Sequence, residues 1–252
     1  MLKLLAIIMI FSLVSCVPVV PKEKRSDLYR ANVHYKLALG NIEANNPTAA
    51  LKELLISVEL APESDVIQVA LAQTYQRKKA YALAEIHYLK ALEISDNDPR
   101  YQNNIASLYL DMKEWDKALY YFDQAAHNLL FVSSTVSIAG KGYTYFMKKD
   151  YPAALAYLNE AIELDPRYVP SYYFKSEVYR ALGNLQKERI LLQRAIAIEP
   201  KFLEPRYRLA VVLLQEGRTA EAVEHLKILI DLTPHTAMGF KAEDLLKSLS
   251  EW

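Results

Sequence analysis

The side chains that could support catalysis or metal binding are few and scattered. A hydrolase needs a nucleophile, a base and a group that orients the base, and no such trio stands out along the chain. The acidic residues mostly alternate with lysine and arginine, a pattern typical of solvated helix faces. The five histidines also lack a metal-binding spacing such as H-E-x-x-H; they are His34, His87, His127, His225 and His235. The sequence therefore predicts no enzyme, no cofactor, no metal and no small-molecule substrate.

Two short motifs imitate ligand loops but lack residues that those loops require. Asp96–Asp98 has the acids of a calcium loop without its glycine and later glutamate. Asp98 directly precedes a proline, so we predict that it caps a helix. Gly140-Lys141 imitates a phosphate loop, which needs glycine at position 135 and serine or threonine at 142. The chain has Thr135 and Gly142 there, and we predict that Gly142 serves helix packing.

The only cysteine, Cys16, follows an apolar N-terminal run. Met1–Lys3 supplies a positive start, and Leu4–Val14 has the length of a signal-peptide core, about half of what a membrane-spanning helix needs. Ordinary secretory cleavage wants small residues at the first and third positions before the cut. Leu13 occupies the third position before Cys16, which fits that rule badly.

Leu13-Val14-Ser15-Cys16 resembles the lipobox of bacterial lipoproteins at all four places. The resemblance implies that residues 1–15 are a signal peptide, and that Cys16 becomes the N-terminus and carries the lipid (palmitate among its acyl chains). Residues 16–25, with Pro18 and Pro21, would then be a short tether. Val17 stands where inner-membrane lipoproteins often carry aspartate, so the implied location is the outer membrane, facing the periplasm. The alternative is a plain signal peptide with an incidental cysteine.

The rest of the chain is organised by a helical pattern that returns about every 34 residues. Tyr151–Pro166 (YPAALAYLNEAIELDP) shows it best: Ala154, Tyr157/Leu158 and Ala161 recur at three- and four-residue steps, so two small residues with a bulky one between them share one helix face, and a proline ends the helix. Three sets of equivalent positions follow, nearly all of them small: Ala50, Ala84, Ala118, Ala154, Glu188 and Ala222; Ser57, Ala91, Ala125, Ala161, Ala195 and Leu229; Ala38, Ala72, Ala106, Gly142, Ser176 and Ala210. Small side chains at these places let two helices approach closely.

A 34-residue helix–turn–helix period is that of tetratricopeptide (TPR) repeats. The chain resembles six of them, at 31–64, 65–98, 99–134, 135–168, 169–202 and 203–236. The implied fold is an all-α, right-handed superhelical solenoid over residues 26–236, whose first helix is capped by Ser26. Residues 237–252 would form a C-terminal capping helix that packs through Phe240 and three leucines. Glu188 and Leu229 depart from the small-residue pattern, so repeats five and six could pack irregularly.

Composition narrows the possible partners. The 30 basic and 30 acidic residues cancel, which gives no electrostatic footprint for nucleic acid. The content of 52% hydrophobic residues excludes disorder. Most of the 18 tyrosines fall where helices pack, so we expect them in the core rather than on a binding surface.

In the TPR family the first helix of each repeat lines a concave face. By resemblance, the partner-binding groove here would include Tyr35, Leu39, Val66, Val69, Gln73, Asn103, Ser107, Tyr143, Phe146, Tyr173, Glu177, Tyr207 and Val211. Tyr35, Leu39 and Val69 replace the lysine and asparagine with which some TPR modules grip chaperone tails. A mostly apolar groove instead suits a helix or strand of another protein. The alternative is that some of these residues are buried in the solenoid.

The 36-residue interval between Ala118 and Ala154 marks an irregular link after the third repeat. This link, the lipobox, the six repeats and the stretches NNIASLYLDMKEWDKALYYFDQA and GKGYTYFMKKDYPAALAYLNEAIELDP resemble the pilotin lipoproteins of type IV pilus systems, the PilF/PilW/Tgl group. The resemblance implies a non-enzymatic protein that brings secretin subunits to the outer membrane and promotes their assembly. The alternative function is a general periplasmic scaffold for cell-wall enzymes or outer-membrane protein assembly.

Overall fold

The computed structural model describes residues 22–128 and 134–250, so Cys16, the leader and Trp252 lie outside it. Within those two ranges the chain forms thirteen α-helices and no strand. The helices are α1 (Lys22–Glu43), α2 (Pro47–Leu60), α3 (Asp65–Arg77), α4 (Tyr81–Ile94), α5 (Pro99–Asp111), α6 (Trp115–Ala126), α7 (Ser134–Met147), α8 (Tyr151–Leu164), α9 (Val169–Ala181), α10 (Leu185–Ile198), α11 (Leu203–Gln215), α12 (Thr219–Leu232) and α13 (Ala237–Ser250). The predicted all-α solenoid is confirmed.

Each predicted repeat corresponds to two helices that pack on each other, and each pair packs on the next. Three residues join the two helices of a pair, and four join most successive pairs. The connection from α6 to α7 is longer and spans residues 127–133, at the place where the sequence pattern predicts the irregular link. The first helix differs from the prediction, because α1 begins at Lys22 rather than after Ser26. Good helix formers at 22–25 (KEKR) extend α1 into the segment predicted as tether.

The small residues of the repeat lie at the helix crossings, as predicted. Ala50, Ala84, Ala118, Ala154 and Ala222 are all 0% exposed. They allow the two backbones of a pair to approach, and the larger leucine and tyrosine side chains fill the space around them. Gly142 serves the same purpose: a Cβ on it would lie 2.7 Å from Leu158 Cγ. Its packing explanation is therefore confirmed.

The two departures from the small-residue pattern are accommodated in different ways. Leu229 is 0% exposed and packs in an apolar cluster with Leu209, Leu226 and Ala242, where the space between α12 and the last helix admits a larger side chain. Glu188 is also 0% exposed, and Arg208 on the following helix donates to its carboxylate at 2.6 Å. The six pairs of helices therefore continue through repeats five and six.

Two of the residues that directly precede prolines, Asn46 and Asp98, cap helix starts. Asp98 accepts from the backbone N–H of Arg100 at 2.8 Å, which confirms its predicted capping role at the start of α5. Asn46 caps α2 in the same way through Ala49. Each cap satisfies one of the backbone donors that a helix start leaves without a partner.

The last helix, α13, packs on α12 and covers the end of the described solenoid. Leu245, Leu246 and Leu249 join its apolar contact, as predicted. Phe240 does not, because its side chain is 50% exposed. Met238 and Ala242 contribute to the cluster instead, since the actual rotation of α13 brings their face onto α12.

Candidate functional site

The first helices of successive pairs, α3, α5, α7, α9 and α11, form one continuous side of the described solenoid. α5 contacts α7 and α7 contacts α9 directly along this side. Three pockets open along it, and their chemistry changes from polar to aromatic to charged. We refer to them as the polar section, the aromatic pocket and the charged section, and to the whole as the groove.

The polar section has a volume of about 350 Å³. Its lining residues are Gln73, Gln76, Arg77, Tyr88, Asn104, Ser107 and Asp111. The Gln76 amide donates to Asp111 at 2.7 Å and accepts from the Tyr88 hydroxyl at 3.0 Å. Burial, together with the nearby Asp111 carboxylate, raises the pKa of Tyr88, so its hydroxyl stays neutral and remains a hydrogen-bond donor. This network ties α3, α4 and α5 together and leaves amide and hydroxyl groups on the groove wall.

The aromatic pocket has a volume of about 250 Å³ and lies between repeats three, four and five. Its lining residues are Asn103, Asn104, Ser107, Leu110, Phe122, Val136, Gly140, Tyr143, Tyr168 and Phe174. Tyr143 of α7 and Phe174 of α9 pack with their ring centroids 4.6 Å apart. Asn103 also lines the pocket, and its Oδ1 atom is buried and accepts no hydrogen bond from the described residues. The pocket therefore offers a mainly aromatic, apolar wall.

A missing side chain helps to form this pocket. At Gly140 a Cβ would collide with the ring of Phe122 from α6, so glycine leaves room for that ring against α7. The neighbouring Lys141 is engaged elsewhere: its ammonium donates to Asp123 at 2.6 Å and lies 4.6 Å above the Tyr157 ring. Gly140-Lys141 thus packs two helices together and does not form a phosphate loop.

The charged section has a volume of about 230 Å³ and lies towards the last helix. Its lining residues are Tyr173, Glu177, Arg180, Glu204, Tyr207, Arg208, Met238 and Lys241. Arg180 pairs with Glu177 on its own helix, and Lys241 of α13 lies 4.4 Å over the Tyr207 ring. Both signs of charge are present, so this section favours a partner that carries mixed charge rather than a simple anion.

Burial of the thirteen predicted groove residues varies widely. Seven of them line the three pockets: Gln73, Asn103, Ser107, Tyr143, Tyr173, Glu177 and Tyr207. Leu39 and Val66 are exposed towards the N-terminal end, and Tyr35, Phe146 and Val211 are half-buried. Val69 is only 8% exposed and packs with Ala72 and Tyr88, so its predicted groove position is wrong and it is a packing residue.

Sequence reasoning missed one position of the repeat. The sixth residue of repeats three to six also lines the groove: Asn104, Gly140, Phe174 and Arg208. The sixth position lies about 100° from the fifth around the helix axis. These four residues differ in size and charge, so residue type does not identify the sixth position as part of the groove. Only their shared spacing of 34 or 36 residues does.

Two features expected of other protein classes are not found in the described ranges. Within residues 22–128 and 134–250, no three His, Cys, Asp or Glu side chains are arranged to hold a metal ion. In the same ranges, no helix combines the length and apolar character needed to cross a membrane.

Stacked helix pairs with a groove along their first helices define a helical-repeat scaffold of the kind that binds other proteins. The model of the tetratricopeptide repeat family matches residues 35–99 and 140–201, about half of the chain. The chain therefore belongs to the tetratricopeptide repeat family, whose members bind protein partners and are typically not catalytic.

Curated relatives share the repeats at low identity. The TPR repeat-containing protein MJ1428 of Methanocaldococcus jannaschii is 24% identical over 172 residues, which cover 64% of this chain and 30% of that protein. The Hsp70-Hsp90 organizing protein of Triticum aestivum is 22% identical over 170 residues, 64% of this chain and 28% of that protein. The chain thus spans about 30% of the length of these relatives.

Two solved structures resemble the fold over nearly their whole length. PilW, described as a widely conserved type IV pilus biogenesis factor, superposes with a TM-score of 0.66 at 16% identity, covering 84% of this chain and 97% of its own. PilF of Pseudomonas aeruginosa superposes with a TM-score of 0.62 at 20% identity, covering 86% and 99%. At these identities the likeness shows a shared fold, and it confirms the resemblance seen in the sequence.

Proposed function

We propose that this protein is a lipid-anchored pilotin of the outer membrane, facing the periplasm. In this proposal Cys16 carries the lipid, and the groove holds a segment of a secretin subunit. The anchor determines the destination, and the groove brings the secretin there and promotes its assembly into a ring. No covalent chemistry is required of the protein.

The observation that carries this proposal is the extent of the match to PilW and Pseudomonas aeruginosa PilF. The shared architecture covers almost all of both chains, whereas the match covers less than a third of MJ1428 and of the Hsp70-Hsp90 organizing protein. The lipobox-like sequence that ends in Cys16 adds independent support for an envelope location.

The groove indicates which partner segment would fit. The aromatic pocket can take an apolar side chain of the partner against Tyr143 and Phe174. Polar and charged sections on either side would contact flanking residues of the same segment. We therefore expect an amphipathic segment with a bulky apolar anchor between polar flanks.

Blocking the groove without disturbing the core tests the binding site. Ser107 is exposed and lines both the polar section and the aromatic pocket, so Ser107→Arg places a large cation across the two. We expect this variant to recover at least about tenfold less crosslinked secretin from outer membranes, a loss typical of a central contact. Ser248→Arg, on exposed α13 surface, is the matched control and should recover wild-type amounts.

Two cell experiments separate the parts of the proposal. Radiolabelled palmitate should attach to the wild-type chain and not to Cys16→Ser; no label on the wild type would remove the lipid anchor. Deleting the gene should abolish heat-resistant secretin multimers and twitching motility. Unchanged multimers would refute the pilotin function, and envelope proteins crosslinked near Ser107 would then identify a different scaffolded partner.

A further inference from the structure

The outward face of α1 carries an exposed apolar stripe that the groove does not use. Tyr29, Val33 and Leu37 are 71%, 39% and 53% exposed, and they recur every four residues along one line of the helix. Ala31 and Ala38, on the opposite side, are 1% and 0% exposed and pack against the following helices. The stripe therefore points away from the solenoid.

Basic side chains border this stripe on both sides. With 3.6 residues per turn, Arg25 and Lys36 lie roughly 60–80° from Val33 in one direction, and Arg30 lies about 60° away in the other. All three are exposed. Asp27 contacts Arg30 at 3.3 Å, but both side chains are solvated, and exposed pairs of this kind are weak and exchange readily.

We propose that this face of α1 lies on an anionic lipid surface. Tyr29, Val33 and Leu37 would enter the headgroup region, and the three cations would contact lipid phosphates. A tyrosine ring with a polar tip and long basic side chains that bend towards water suit that boundary. The inference deepens the proposed membrane anchoring, because Lys22, the first residue of α1, follows Cys16 by only six positions.

A second exposed stripe shows why the charge pattern favours lipid on α1. On α4, Leu83, Ile86 and Leu89 are 44%, 59% and 42% exposed. Glu93 lies almost in line with Ile86, two helical turns further on, and it pairs with Lys90 at 3.3 Å. An acid within the stripe would repel an anionic membrane. On α1 the acids Glu23 and Glu43 lie about 80° from the line of Val33, beside the stripe rather than in it, and the cations of Arg30 and Lys36 lie nearer to it.

Attachment through α1 would fix the orientation of the protein. A lipid on a flexible tether restrains only the distance from the membrane, whereas a helix lying on the surface also restrains rotation. Since α1 packs on α2, the whole solenoid would be held at one inclination, with its groove presented in a constant direction.

The test uses residues 16–252 with Cys16→Ser, which has no acyl chain and no other thiol. Ser26→Cys lies close to the line of the stripe without removing any of it, and carries an environment-sensitive dye. We expect a blue shift of the dye with vesicles of phosphatidylethanolamine and phosphatidylglycerol, and none with phosphatidylcholine alone. The control is a dye at Asp116→Cys, whose side chain is 91% exposed on α6; it should not respond to either vesicle.

Two triple variants on α1 and a third on α4, which serves as the control, identify the contacts. Reversing Arg25, Arg30 and Lys36 to glutamate should weaken binding to the anionic vesicles about tenfold or more. Tyr29→Ser/Val33→Ser/Leu37→Ser should abolish the blue shift, while Leu83→Ser/Ile86→Ser/Leu89→Ser on α4 should leave it intact. Circular dichroism should remain that of the parent in each case, because all nine positions are exposed.

Three outcomes would overturn the proposal. Vesicle binding that ignores the charge reversal would exclude an electrostatic lipid contact. A dye at position 26 that is already blue-shifted without vesicles would show that protein, from this chain or a second copy, covers the stripe. An equal loss of the blue shift in the α4 variant would show that vesicle binding is not specific to the α1 stripe. Because the tested chain lacks the acyl group, these results are independent of palmitate labelling at Cys16, so failure of the α1 contact and failure of the anchor are distinguishable.

Discussion

Repeats two and five have the same backbone but different interiors. In both, helices of 13 and 14 residues are joined by three residues, one of them with positive φ: Lys79 at 60° and Gly183 at 70°. At the helix crossing, repeat two has Ala84 and repeat five has Glu188, and both are 0% exposed. A buried carboxylate thus occupies a place that the repeat pattern reserves for a methyl group.

The residue twenty positions later explains the difference. It is Asn104 after Ala84, and Arg208 after Glu188. Arg208 begins on the groove wall and donates to Glu188 at 2.6 Å, so the following repeat supplies the partner for the buried charge. A repeat protein therefore tolerates an exception at a helix crossing when the next unit compensates for it.

Placing a glutamate at the helix crossing of repeat two should have the largest effect on stability. Ala84→Glu buries a carboxylate with no arginine beside it, and we expect the free energy of unfolding in urea to fall by about 3–5 kcal/mol. Adding Asn104→Arg should recover part of the loss. Ala84→Gln is the control for volume. If it destabilises the protein as much as Ala84→Glu does, the charge is not responsible.

Removing Arg208, the partner that repeat six supplies to Glu188 of repeat five, should have a somewhat smaller effect. Arg208→Ala leaves Glu188 buried without its cation, and we expect a loss of about 3 kcal/mol in the free energy of unfolding. The loss is limited because the carboxyl can take up a proton. Glu188→Ala combined with Arg208→Ala should recover stability, and Arg194→Ala, exposed on α10, should have little effect. Equal losses at both arginines would contradict the pairing.

The pH dependence of stability tests the burial of Glu188. Burial raises the pKa of Glu188 above its ordinary 4.5, and Arg208 opposes the shift only in part. The folded chain therefore holds the proton more tightly than the unfolded chain. This contribution is fully present below pH 4.5 and is lost as pH rises through the folded-state pKa. As pH rises through the folded-state pKa, the Tm of wild type should fall relative to the Tm of Glu188→Gln. A difference between the two Tm values that does not change with pH would refute the raised pKa of Glu188.

The turn residues should give the smallest effect. The backbone of Lys79 lies in the left-handed region, which is strained for a residue with a Cβ atom. Lys79→Gly should therefore raise the free energy of unfolding by about 0.5–1 kcal/mol, after the entropy of glycine is counted. Gly183→Ala should lower it by about 1 kcal/mol. Lys79→Ala keeps the Cβ and is the control; a gain as large as that of Lys79→Gly would show that strain at the turn is not the cause.

The sequence pattern predicted the helices well because short-range chemistry defines them. Asn46 and Asp98 cap the helices expected of them, and the alanines of the repeat lie buried at the crossings. Prediction failed where a helix end or a rotation depends on neighbours. α1 begins at Lys22 rather than after Ser26, and Phe240 faces solvent rather than α12.

The groove was predicted less completely. Spacing named Ser107, Tyr143 and Tyr173, which line the pockets described above, but it also included the buried Val69 and missed Phe174. A rotation of the first helix by a fraction of a turn exchanges such neighbours, and periodicity alone does not set that rotation. Packing against the next pair does.

By itself, the amino-acid order determined the helical repeat and the small residues at the helix crossings, because each depends on contacts within one unit of the chain. Only the tertiary structure decided that Glu188 is neutralised by Arg208 and that Tyr143, Phe174 and Asn103 share one pocket. Those relations join different repeats, and their geometry follows from how each helix pair is rotated on the next.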